Sequence, residues 1–130
     1  MAEARHFDPD GMKFAGMSQA VRCGDWILVS GQVALRDGKV VGVGDAAHQA
    51  RQCFANIETV LREAGAALSD IVSLKCYLVA KAAFGGYSEV KTALFAERAP
   101  TSTTVIVKDL LLPDLLMEIE AVAWQPPPKE

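Results

Sequence analysis

The stretch from Pro100 to Trp124, P-T-S-T-T-V-I-V-K-D-L-L-L-P-D-L-L-M-E-I-E-A-V-A-W, decides the architecture. Thr, Val and Ile dominate its first half and its second half alternates, which predicts two β-strands joined by a Leu-rich loop carrying Pro113. The loop is short enough to make the two strands near neighbours. In the second strand Glu118 and Glu120 lie two residues apart and share one face, while Met117, Ile119 and Ala121 share the other. An isolated carboxylate is costly to bury, so the Glu face must meet water, a polar partner or a ligand. The pattern leaves these open, and two solvated carboxylates on an open sheet face satisfy it as well.

Upstream of Pro100, a helix starting near Ala82 places Phe84, Tyr87, Val90, Leu94 and Arg98 along one stripe, with Gly85-Gly86 weakening its first turn and Pro100 marking its end. Ser69 to Ala80 predicts a long strand with Val72, Leu74, Cys76 and Leu78 facing one way and Ser73, Lys75 and Tyr77 the other. Before it, Asp45 is placed to cap a helix in which Ala47, Ala50, Phe54, Ile57, Val60, Leu61 and Ala64 recur at three- and four-residue spacing up to Gly65. The opposite face, with Gln49, Arg51, Gln52, Glu58, Arg62 and Glu63, reads as solvated, and His48 in the first turn as exposed. Asp37-Gly38 between Val33–Arg36 and Lys39–Val41 predicts a type I′ hairpin, which needs positive φ at both central residues.

Trp26 to Ser30 is a continuous apolar run, expected as a central strand covered on both faces. The Ser30-Gly31-Gln32 that follows removes a Cβ where a backbone or ligand approaches closely, or marks a bulge. A first strand follows Gly16 and turns at Gly24-Asp25. Residues 1 to about 13 read as a loosely held arm, and residues 125–130, with three consecutive prolines, as an extended tail. The order strand-strand-strand, helix, strand, helix, strand, strand is that of one α+β domain spanning 1–130. Two helices cover one face of its sheet, and the other face calls for a partner, most simply further copies of the chain.

Composition narrows the function classes. With 51% hydrophobic and 22% charged residues the chain is globular rather than disordered. A net charge of −3 with no Lys/Arg cluster argues against nucleic acid and anionic membranes as partners. Apolar runs are too short to cross a bilayer, and the amino terminus does not resemble a signal peptide. Three widely spaced cysteines suit a reducing cytoplasm. With only His6 and His48, far apart in sequence, no transition-metal site is expected, and there is no Gly-rich phosphate loop, no G-x-S-x-G and no nucleophile with an obvious base beside it.

Several pieces together resemble the RidA (YjgF, or Rid) family from about Ser18 to Trp124: S-Q-A-V from Ser18, S-G-Q at Ser30–Gln32, Q-A-R-Q-C-F-A-N-I at Gln49–Ile57, A-G followed by S-D-I-V at Ser69–Val72, Phe84, Pro100, and M-E-I-E-A-V-A at Met117–Ala123. The resemblance implies a chorismate-mutase-like mixed sheet packed by two helices, a homotrimer with a central barrel, and small-molecule clefts between subunits. It also implies cofactor-independent hydrolysis of enamines and imines such as 2-aminoacrylate and 2-iminopropanoate. Carried over by position, Glu118 is the catalytic candidate that orients or activates water, and Gly31 shapes the cleft. The arginine that holds the substrate carboxylate in such enzymes is Ser102 here, followed by Thr103; a frequent tyrosine is Met17 and a typical asparagine is Ser88. These positions, Met17, Gly31, Ser88, Ser102 and Thr103, are the candidate ligand-binding residues.

Losing a charged hydrogen bond of about 1.5–3 kcal/mol implies roughly ten- to a hundredfold weaker carboxylate binding, unless another cation such as Arg22 or Lys108 reaches in. One expectation is therefore a Rid-type hydrolase with altered substrate preference. The alternative is a non-catalytic trimer that binds a small metabolite. A third, an endoribonuclease or translation inhibitor, is disfavoured by the acidic charge.

Overall fold

Eight strands and two helices succeed one another in residues 3–126, the part of the chain that this computed structural model describes: β1 (Arg5–Phe7), β2 (Ala20–Cys23), β3 (Trp26–Val33), β4 (Leu35–Arg36), β5 (Lys39–Val40), α1 (Ala46–Glu63), β6 (Ile71–Leu78), α2 (Phe84–Leu94), β7 (Thr101–Ile106) and β8 (Met117–Trp124). Six of the strands form one mixed sheet in the order β1-β2-β3-β8-β6-β7, in which only β6 and β7 are parallel. A parallel pair needs a crossover, and α2 supplies it. β8 then returns to the far side of β6, so the two strands read from Pro100–Trp124 are second neighbours rather than adjacent. Beyond Pro126 the expected tail lies outside the described residues.

The local signals act as written. Asp37 and Gly38 have φ of 52° and 78° and turn β4 into β5. Asp45 accepts the His48 N–H at 3.0 Å as N-cap of α1, and His48 is exposed. Ala50, Cys53, Phe54, Ile57, Val60 and Leu61 of α1 bury against Ile27 and Val29 of β3 and Met117, Ile119, Ala121 and Ala123 of β8. Phe54 stacks on Tyr87 of α2 at 6.3 Å and meets Phe95 edge-on at 5.8 Å. Gly86 lets α2 touch α1, because a Cβ there would lie 2.5 Å from the Ala47 nitrogen.

Five expectations are corrected. The arm is anchored: β1 pairs with β2, and the Gln19 side chain donates to the Met12 carbonyl at 2.6 Å, fixing the chain between them. The run Trp26–Ser30 is central but covered on one face only in this chain, since Trp26 and Leu28 are 48% and 50% exposed. Gln49 is fully buried, not solvated. Val72 is exposed and Ile71 buried in its place, because the register against β8 shifts between Ile71 and Ser73. Finally, α2 ends at Leu94, five residues before Ala99, and Phe95 rather than Leu94 or Arg98 closes the core. Among the described residues no helix is long and apolar enough to cross a membrane.

Candidate functional site

The chemistry gathers where β3 departs from regularity. Between Val29 and Gln32 β3 spends one residue more than β8 does between Ala121 and Ile119, a β-bulge centred on Ser30-Gly31. Such a bulge re-aims the side chains around it. Across the ladder, Glu118 occupies the space a side chain at Gly31 would take: a Cβ built there would lie 2.9 Å from the Glu118 carboxyl carbon and 3.0 Å from its Cγ. Both readings of S-G-Q hold at once, since the bulge and the close approach are the same feature.

Glu118 opens into a groove of about 1020 Å³. Met17, Ser30 and Gly31 line one wall, Gln52 and Asn56 of α1 another, and Leu111, Leu112 and Leu115 a third. Among the described residues Arg36 is the only cation on the lining. Burial, followed by the charge of nearby Glu120, holds the Glu118 carboxyl above the ordinary carboxylate range. The neighbouring carboxylate is engaged elsewhere: Tyr77 donates its phenolic proton to Glu120, and that bond, followed by burial and nearby carboxylate charge, raises the Tyr77 pKa.

Buried amides build the walls. Gln32 donates to Gln19 at 2.7 Å and to the Ser30 carbonyl at 3.0 Å, while Ser30 Oγ donates to the Ser18 carbonyl at 2.6 Å. Asn56 donates to the carbonyls of Val33 and Leu35, both at 3.0 Å, and so holds the start of the hairpin against α1. Gln49 donates to the carbonyls of Val41 and Asp114 at 3.1 and 2.8 Å and accepts the Leu116 N–H at 2.8 Å. The bonds to Asp114 and Leu116 tie the Leu-rich loop, and with it the third wall, to α1.

Of the residues singled out from sequence, Met17, Gly31 and Glu118 come together in this groove. Ser88, Ser102 and Thr103 do not line it: they sit on α2 and on β7, the last strand at the far edge of the sheet. Ser102 faces α2, where it accepts a hydrogen bond from Lys91 Nζ at 3.1 Å, and Thr103, paired with Lys75, is exposed. Arg22 cannot reach in, because its guanidinium is buried and donates to the carbonyls of Ala64 at 3.1 Å and Gln125 at 2.6 Å. Lys108 is exposed and does not line the groove. Cys53 and Cys76 are core residues whose thiols are raised chiefly by burial, Cys76 to about 12. Among the described residues no cluster of His, Cys, Asp or Glu could hold a metal ion.

Residue-type reasoning missed Gln49, Gln19, Gln32, Asn56 and Lys91. For Gln49 a signal existed: it precedes Cys53 and Ile57 by four and eight residues and so belongs to the buried stripe despite its polarity. No local pattern marks the others, whose partners lie up to 23 residues away in the chain.

Known proteins resemble this chain in sequence and fold. A family model described as endoribonuclease L-PSP matches residues 12–125. The chain is 36% identical over 110 residues to a RutC family protein of Pyrococcus abyssi, covering 83% of this chain and 85% of that protein. It is 34% identical over 105 residues to the 3-aminoacrylate deaminase RutC of Acinetobacter baylyi, covering 80% and 82%. The crystal structure of Rv2704 of Mycobacterium tuberculosis, a member of the YjgF/YER057c/UK114 family, superposes with a TM-score of 0.83 at 32% identity, covering 94% of this chain and 99% of that one.

Proposed function

Because the chain belongs to the endoribonuclease L-PSP family, the family of the YjgF and RutC proteins, we propose that its single domain, residues 1–130, is a cofactor-independent hydrolase of enamine- and imine-type metabolites. The observation that carries this reading is Glu118, laid over the bare backbone of Gly31 inside the groove with its carboxyl above the ordinary range. A carboxylate whose pKa is moved toward the working pH can both take and return a proton.

The chemistry balances as follows. From the protonated imine, Glu118 takes a proton from water as the water oxygen bonds to the imine carbon and the C=N π pair moves onto nitrogen, giving a neutral carbinolamine. Glu118 then returns that proton to nitrogen, the C–N bond breaks with its electron pair leaving on ammonia, and the hydroxyl becomes a carbonyl as its proton passes back to the Glu118 carboxylate and on to water. 2-Aminoacrylate enters this path after tautomerising to 2-iminopropanoate. Met17, Gly31 and the leucines shape the space, while Ser88, Ser102 and Thr103 contact the substrate from a neighbouring subunit.

That last step requires an oligomer, and a cytoplasmic homotrimer closed through the open sheet face fits. The exposure of Trp26, Leu28 and Trp124 on that face supports burial by further copies, and the free cysteines suit a reducing compartment. A solution mass of one chain would refute the trimer. The net charge of −3 speaks for a small molecule rather than RNA as ligand.

The test is ammonia release from 2-aminoacrylate and 2-iminopropanoate generated in situ, by the wild type, Glu118→Ala and Ser102→Arg. Release that disappears in Glu118→Ala supports the proposal. The uncharged Ser102 favours one second reading, a trimer that holds a metabolite without turning it over. Silence of all three proteins with a ligand recovered unchanged selects it.

A further inference from the structure

We propose that Lys91 determines specificity by seating the carboxylate of an anionic substrate at the outer edge of β7, together with the Ser102 and Ser88 hydroxyls. The identity of the substrate rests on the imine-hydrolase reading; the anion seat itself rests on the geometry that follows.

Lys91 Nζ donates to Ser102 Oγ at 3.1 Å and lies 5.2 Å from the centroid of the Tyr87 ring. These two contacts hold the ammonium at the strand rather than leaving it to trail into solvent. An ammonium has three donors. One serves Ser102 and the ring face shields another direction, so at least one remains for a ligand. Among the described residues no carboxylate lies within ion-pair distance of Lys91; Glu58 pairs with Arg62 at 3.7 Å instead. A held cation without a counter-charge favours an incoming anion, and charge-assisted hydrogen bonds are the stronger kind.

The surroundings donate as well. Because Ser102 Oγ accepts from Lys91, its own O–H must point elsewhere, to the Tyr87 oxygen nearby or to a carboxylate oxygen that displaces it. Ser88 lies three residues before Lys91 and so on the same side of α2. Among the described residues β7 is the last strand of the sheet, with β6 on one side and no strand on the other, so its outward N–H groups make no ladder bond there. Beneath the cluster Tyr87 Oη is buried, with the Ser102 and Thr104 hydroxyls nearby and no close hydrogen bond among the described residues. The competing cation, Arg36, stands exposed on a two-residue strand with no hydroxyl holding it.

The experiment is calorimetric titration of the intact protein with pyruvate, the keto acid formed from 2-iminopropanoate, and with pyruvamide, its neutral analogue. Wild type, Lys91→Met, Lys91→Arg and Arg36→Gln are compared, with melting curves to confirm folding. Pyruvate binding should weaken about ten- to a hundredfold in Lys91→Met and stay within a few-fold in Lys91→Arg and Arg36→Gln. Pyruvamide binding should not distinguish wild type from Lys91→Met. Unchanged pyruvate affinity in Lys91→Met, loss in Arg36→Gln instead, or no pyruvate binding by the wild type overturns the proposal. Ammonia release is scored separately: Lys91-dependent pyruvate binding without turnover sinks the hydrolase reading and leaves the anion seat standing.

Discussion

Replacing Gly31 by Ala isolates the role of one missing side chain. The new Cβ would lie 2.9 Å from the Glu118 carboxyl carbon and 3.0 Å from its Cγ, against an ordinary carbon–carbon contact of about 3.5–4.0 Å. Something must retreat by roughly 1 Å, and the yielding group is the end of the Glu118 side chain, which faces open groove. Gly31 does not have positive φ, so Ala fits the backbone without strain. Reduced freedom of the unfolded chain favours Ala by about 0.4–1 kcal/mol, which offsets the contact, so global stability should change by less than about 1 kcal/mol. Catalysis should not be spared, because a misplacement of about 1 Å costs on the order of a hundredfold. Urea denaturation and ammonia release, measured on the same Gly31→Ala preparation, separate the two effects. Full hydrolytic rate in a normally folded variant would refute the placement of Glu118 over Gly31 as the working geometry.

Three further outcomes follow from the same contacts. Burial, and then the charge of Glu120, raise the folded-state pKa of Glu118 above the ordinary carboxylate range, so the folded state holds its proton more tightly and loses stability as pH rises through that window. Glu118→Gln should therefore melt above the wild type at pH 7 in calorimetry, with the gap closing as the pH falls below the ordinary carboxylate value; its ammonia release should be lost at every pH. Gln49→Leu leaves the Val41 and Asp114 carbonyls and the Leu116 N–H without their side-chain partner, a cost of ~3 kcal/mol that lowers the melting temperature by roughly 10 °C. Faster amide exchange at Leu111–Leu116 should accompany it. Gly86→Ala should destabilise by about 1–3 kcal/mol in urea despite the better helix propensity of Ala, because its Cβ meets the Ala47 backbone at 2.5 Å and the two helices must separate; a gain in stability would show that they are not in contact there.

Local chemistry made much of this legible in advance. Asp37-Gly38 could be read as a turn because positive φ is a property of those two residues, and Asp45 as a cap because its partner is three residues away. Alternation placed Glu118 and Glu120 on one face of β8 because a pleat has a period of two whatever its neighbours do. Where a long-range pairing intervened, the same rules failed: one register shift exchanged Val72 for Ile71 in the core, and Gln49 went inward because a loop some 65 residues later needed its amide. Ser102 shows the division most plainly. Its identity and its want of charge belong to the sequence, but the ammonium beside it comes from another element, 11 residues back. Dihedral preferences and side-chain period are carried by a few consecutive residues, whereas the electrostatic surroundings of a group depend on which distant segments packing brings within a few ångströms of it.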